Sequence, residues 1–153
     1  MNTTTANHVD AKNAVDSLFS AFCDSAPINE ADLSLSFEGI DNSLQIRDYV
    51  LGLIGLNLAD HADRFRFLNL FTVCGESAHV EAIRGAYLYE AGQIEEAREA
   101  LNKAPNNSLA LLLGRVISSG WPVDAFASMR NELHPKVVEG ILTEYATQPI
   151  RNA

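Results

Sequence analysis

Shifted by 28 positions, two parts of the chain share one spacing, Gly92-x4-Ala97-x3-Leu101 and Gly120-x4-Ala125-x3-Met129. An apolar run that reads as helix precedes each glycine. After it comes a small alanine where a partner helix would pass, then, one turn on, a larger apolar residue that fills the seam. Such spacing predicts paired, stacked helices, antiparallel hairpins between about 77 and 132, with Ala97 and Ala125 both in the interhelical contact. It specifies packing and carries no chemistry.

A chain of 153 residues with 47% hydrophobic content is the size of one ordinary domain and long enough to bury its own core. Its formal charge of -9 opposes the attraction that drives nucleic-acid binding and offers no cationic face to anionic lipid. The expectation is therefore no nucleic acid and no membrane. The acidity is uneven. Asp10, Asp16, Asp24, Glu30, Asp32, Glu38 and Asp41 face only Lys12 in residues 1 to 44, which makes the first third a solvated leading segment or an acidic docking surface for a basic partner. Cys23 and Cys74 stand in unrelated contexts, without C-x-x-C spacing or an apolar leader before them, and are expected to be reduced, partly buried thiols of a cytoplasmic protein. The most apolar run, Tyr49 to Leu56, is far short of the roughly 20 residues that span a bilayer.

The hydrophobic periods divide the chain into helices. Met1 to His8 is polar and expected to fray as a tail, as are residues 148 to 153, leaving one helical domain over 9 to 147. Val15, Leu18, Phe19 and Phe22 form one stripe of a helix from Val9 to about Cys23. Residues 33 to 37 alternate apolar and polar and read as an extended connector, or as an edge that pairs with another copy. Asp41-Asn42-Ser43 supplies capping oxygens for a helix through about Leu56 that is apolar all round at its far end, the expected spine of the core, with Gly52 and Gly55 admitting a close neighbouring backbone. A helix over Ala59 to Val73 turns Arg64 and Arg66 to solvent. Five more follow near 77 to 91, 94 to 104, 107 to 119, 122 to 132 and 135 to 146, with proline opening the last two. The expected fold is all-α, an irregular set of tetratricopeptide-like antiparallel hairpins, six to eight helices in one compact domain.

Glu81 to Leu101 is similar to a tetratricopeptide repeat. Gly85, Leu88, Ala97 and Leu101 fall at the signature's glycine, tyrosine, alanine and phenylalanine positions, while Glu81 and Arg84 replace its tryptophan and leucine and Pro105 arrives four residues early. More widely, Ile46-Arg47-Asp48-x-Val50-Leu51, Ala86 to Gly92, Ala97, Ala100, Ala104 and Ser119 to Pro122 resemble the C-terminal helical half of an actinobacterial family known only as a domain of unknown function. That resemblance implies a fold and a lineage and no activity.

Few residues suggest chemistry. Glu76-x2-His79 has the i, i+3 spacing of helical di-iron ligands, but it occurs once, and His8, His61 and His134 lie in polar or turn contexts. Asp60-His61-x-Asp63 reads as a solvated helix start before it reads as a cation clamp. No G-x-S-x-G, phosphate-cradling glycine loop or H-E-x-x-H is present, and neither cysteine has a cationic flank. No cofactor, metal or catalytic residue is assigned. In tetratricopeptide proteins the first helix of each pair lines a groove, and that resemblance assigns His79, Ala82, Ala86, Tyr89 and Glu90 to binding an apolar or helical segment, unless they merely cover the next helix. Trp121 joins them as an interface anchor, or closes the end of a helix pair. The expected function is a non-catalytic module that binds a protein or peptide, or associates with itself. The alternative is a small enzyme or ligand-binding protein whose site no motif reveals.

Overall fold

Asn7 starts the first helix by reciprocal capping, its side-chain oxygen accepting from the Asp10 amide at 2.8 Å while the Asp10 carboxylate accepts from the Asn7 amide. The computed structural model describes residues 6–150, and the expected fraying of residues 1 to 5 and 151 to 153 lies outside them. Among these described residues eight α-helices follow in order: α1 His8–Cys23, α2 Glu30–Asn42, α3 Leu44–Asn57, α4 His61–Asn69, α5 Ala78–Glu90, α6 Ile94–Asn102, α7 Ser108–Ser118 and α8 Val123–Leu142, with a 3-10 turn Leu70–Cys74 after α4. Among the described residues there is no strand, only an isolated bridge between Asn7 and Pro149. The fold is all-α.

α3 runs through the middle. It packs on α1, α2 and α5 and most extensively on α8, burying Ile46, Tyr49, Val50, Leu51 and Ile54. Gly52 and Gly55 do admit a close neighbour, but it is side chains of α8 rather than a backbone: a Cβ on Gly52 would collide with the His134 ring and one on Gly55 with the Arg130 guanidinium.

Residues 33 to 37 are helical, part of α2. The L-S-L-S-F alternation conceals a second pattern, because Leu33, Ser36 and Ile40 bury at helical spacing, and Asn29 caps the start by accepting from the Asp32 amide at 3.0 Å. The two helices expected at 122 to 132 and 135 to 146 are one, with Pro135 inside α8. An interior proline costs about 3 kcal/mol, and here the long packing of α8 along α3 offsets it. His8, placed in the tail by its sequence, is a buried α1 residue whose ring nitrogens meet the Gln148 carbonyl at 2.8 Å and the Ser43 hydroxyl at 2.9 Å. Cys74 is partly buried and unpaired, whereas Cys23 is exposed.

The two halves of the 28-residue spacing diverge. Gly92 (φ 81°) and Gly120 (φ 68°) make the same left-handed turn. After Gly92 the hairpin closes: α5 and α6 pack along their length, Ala97 has no exposed surface, and Leu101 presses against Gly85. After Gly120 it does not. α7 and α8 scarcely touch, Ala125 is exposed, and its neighbour Phe126 is the residue that buries, edge-on to Tyr89 at 6.0 Å. Ala97→Glu should therefore lower stability by about 4 kcal/mol, on the order of 10 °C in Tm, and Ala125→Glu by less than about 0.5 kcal/mol. Thermal melts of the two variants check the difference.

Candidate functional site

An arginine pair ties α8 and α4 to one carboxylate of α5, with the Arg130 head seated beside Gly55 of α3. Arg130 clamps Glu90 with two parallel bonds, Nε to Oε2 at 3.0 Å and Nη2 to Oε1 at 2.7 Å, and Arg64 approaches the same carboxylate at 3.5 Å. All three side chains are sealed, with 3%, 5% and 9% of the Arg130, Glu90 and Arg64 side chains exposed. Arg64 therefore does not face solvent as its sequence context suggests; Arg66 does. The buried Arg64 head meets the negative end of α3, donating to the Leu58 carbonyl at 2.6 Å and the Gly55 carbonyl at 3.4 Å. Both guanidiniums lie on the Tyr87 ring, at 4.9 and 5.4 Å from its centre, and the Tyr87 hydroxyl donates to the Leu51 carbonyl. Burial holds the Tyr87 phenol well above its usual range.

With α8 fixed against α3 and α7 fixed against α5 and α6, the unclosed hairpin leaves a cleft of about 490 Å³. Its walls are Leu109 and Leu112 from α7 and Phe126, Met129, Leu133 and Val137 from α8, and Leu51 of α3 joins its lining. Leu112 and Leu133 are 38% and 48% exposed. Polar groups ring this apolar bed, and three of them, Arg47, Asp48 and Ser108, bind one another. Arg47 donates to Asp48 at 2.9 Å and to Ser108 at 3.1 Å; beside the cleft and outside its lining, Asn107, which caps α7, meets the half-buried His79 ring at 2.6 Å. Burial lowers the His79 pKa, with Arg47 adding to the effect.

His134 lines the same cleft. Its ring stacks on Tyr49 at 5.3 Å, and its Nδ1 is buried with no hydrogen-bond partner. The Tyr49 hydroxyl donates to Asp16, and Asp16 also accepts from Lys12 at 2.8 Å. Burial lowers the His134 pKa, Lys12 lowers it further and Asp16 opposes both.

The residues assigned to a groove by the tetratricopeptide resemblance lie elsewhere. Ala82 and Ala86 have no exposed surface and Tyr89 has 3%, its hydroxyl donating to the Trp121 carbonyl at 2.6 Å. Glu90 serves the arginine pair and His79 the Asn107 contact. Ala82, Ala86 and Tyr89 are thus core residues of a helix packed chiefly on α6 and α7, while His79 is half-buried. The Trp121 ring is 45% exposed at the Gly120 turn and does not line the cleft. Sequence reasoning misses the cleft because Pro135 reads as a helix break, which cuts the Met129, Leu133, Val137 stripe in two. A signal is present nonetheless: Leu111, Leu112 and Leu113 in succession exceed what one helix face buries.

Among the described residues no three His, Cys, Asp or Glu side chains converge as metal ligands, and no helix is long and apolar enough to cross a membrane. Asp60 of the D-H-x-D segment caps α4, accepting from the Ala62 amide at 2.7 Å. The Cys74 thiol is pushed up by burial, and the Cys23 thiol by burial and then by Asp24 and Asp63, the reverse of what activates a nucleophile. Comparison with protein-family models, with curated proteins and with solved structures finds no match.

Two outcomes follow. Glu90→Leu leaves two sealed arginines facing each other and should cost about 3 to 5 kcal/mol, whereas Arg64→Met, which keeps the two-bond Arg130–Glu90 pair, should cost less than half of that. Urea denaturation of the two variants measures this. Because His134 and His79 take up protons less readily when folded, the unfolded chain protonates first, so stability is full above the ordinary histidine range near 6.5 and falls as pH drops below it. His134→Phe should flatten the stability loss measured between about pH 7 and about pH 5.

Proposed function

We propose that the chain is a non-catalytic interaction module whose working surface is the cleft between α7 and α8, and that its partner presents the apolar stripe of an amphipathic helix. One observation carries this reading: a hairpin whose turn glycine is in place stays open along an apolar bed, with Leu112 and Leu133 left half in water. The missing element of that packing is a helix. Leucine and methionine walls suit a helix laid in a groove, and Met129 adapts its shape to what it meets. Among the polar groups at the cleft, Arg47, Asp48 and Ser108 bind each other rather than converging on a free point, which favours an apolar partner face over a small polar ligand. A cytoplasmic setting belongs to the same proposal, supported by two unpaired cysteines. The tetratricopeptide and actinobacterial-family resemblances imply a packing scheme alone, so the reading rests on the cleft.

The test is a synthetic amphipathic helix with leucines at i, i+3, i+4 and i+7 and glutamine elsewhere, titrated while the methyl resonances of Met129 and Leu133 are followed. Binding at about micromolar to millimolar strength should move both resonances, and Leu112→Ser with Leu133→Ser should remove the binding while leaving Tm nearly unchanged. Binding that survives in the double variant, or that moves resonances on another face only, would overturn the assignment.

A further inference from the structure

His134 is the titratable group of the cleft whose buried ring nitrogen no partner meets. Its Nδ1 lies against α3 in a notch left by Gly52, where a Cβ would fall on that nitrogen, and it has no hydrogen-bond partner among the described residues. A neutral ring tolerates this by carrying its single N–H on Nε2. An imidazolium has an N–H on both nitrogens, and the one on Nδ1 would face Gly52 with nothing to accept it. The stacked Tyr49 ring favours a cation but supplies no acceptor in the notch. The charged groups around the ring are committed elsewhere. On α1, Asp16 attracts the proton but already accepts from Tyr49 and from Lys12. On α3, Asp48 is paired with Arg47; on α5, Glu90 is held by Arg130; on α8 itself, Arg130 and Lys136 are cations. Glu144, past the end of α8, is exposed on the lining of the cleft.

A hinge stands beside this ring. Pro135 has no N–H to bond the carbonyl one turn back, so α8 is weakest between the part that Arg130 ties to Glu90 and the part that lays Val137, Val138 and Ile141 on the core. We infer that His134 is a proton-operated latch: on taking up a proton the ring leaves the Gly52 notch for the cleft, and the part of α8 beyond Pro135 pivots on α3 while the part before it stays clamped to Glu90. The sign follows from the notch. The closed form excludes the proton, whereas the released ring accepts it at the ordinary histidine value of 6.5, so the latch is shut above that value and opens progressively as pH falls below it. Burial of the ring, with Lys12 nearby, acts in the same direction. Because His134 lines the cleft, its release changes the shape of the cleft, and the latch works whether or not a partner lies there.

NMR of the full chain tests the latch. At about pH 7.5 nuclear Overhauser contacts should join the His134 ring to the Gly52 α-protons. By about pH 5 they should be lost in one titration step, the Val137 and Val138 methyl resonances moving in that same step while those of the fully buried Ile54 and Ile83 stay in place. Gly52→Ala, whose methyl occupies the notch, should place the Val137 and Val138 resonances at their low-pH positions already at about pH 7.5, and His134→Phe should leave them unmoved between the two pH values. Gly52 contacts that persist while the ring titrates would contradict the latch, because the ring would then hold its proton in place. So would the same Val137 and Val138 movement in His134→Phe, which would assign it to His79 or another group. Should Gly52→Ala fail to fold, the titration of the unaltered chain and of His134→Phe separates these results without it.

Discussion

Everything distinctive in this molecule follows from the sharing of Glu90 by Arg64 and Arg130. A single sealed carboxylate on α5 holds one arginine from α4 and one from α8, and the same two cations sit on the Tyr87 ring. Four elements meet at this point, because Arg64 also closes the carbonyl end of α3 and Gly55 leaves the space that the Arg130 head occupies. A buried ionic cluster of this kind adds little net stability, since desolvation consumes much of the attraction, but its geometry is demanding and selects one arrangement of helices over near alternatives. Here it ties α8 to α5 where Arg130 passes Gly55 of α3.

That assignment produces the cleft. Consecutive helices joined by a glycine turn ordinarily close on each other, as α5 and α6 do across Gly85 and Ala97. α8 is drawn instead toward α3 and the end of α5, where Arg130, Phe126 and His134 find their partners, while α7 stays with α5 and α6. The space between α7 and α8 keeps its apolar walls and loses its filling. Structure and proposed function thus share one origin: the interaction that orders the core is the one that leaves a groove unoccupied.

Much of this is legible in the sequence, and the failures have physical causes. The all-helical class and the places of α1 and α3 to α7 follow from periodicity and caps, with Ser43 opening α3 and Asn107 opening α7. The glycine and alanine spacing identifies the α5–α6 hairpin, where small residues do meet. Its second occurrence repeats the turn but not the contact, because a short motif records local geometry and says nothing about which distant helix competes for α8. Pro135 misleads for a similar reason: its local cost is real, and packing along α3 outweighs it. Arg64 reads as solvent-facing because charge near a helix start usually is, and nothing in its neighbourhood points to Glu90 or to the end of α3. Residues 33 to 37 fit two periods at once, and only the burial of Ser36 and Ile40 decides between them. Of the α5 residues expected to line a groove, Ala82, Ala86, Tyr89 and the Glu90 side chain are in fact inside, since the tetratricopeptide match transfers a hairpin but not the array that would leave its inner face open.

The central claim is that α8 belongs to the same cooperative unit as α3 and α5, through Arg130 and Glu90. Native-state amide hydrogen exchange tests it directly. The amides of α8 around Arg130 should open only with the global unfolding free energy shared by the middles of α3 and α5. If those α8 amides exchange through a separate opening several kcal/mol easier, with α3 and α5 still protected, then the arginine pair does not bind the helices into one body and cannot be the origin of the cleft.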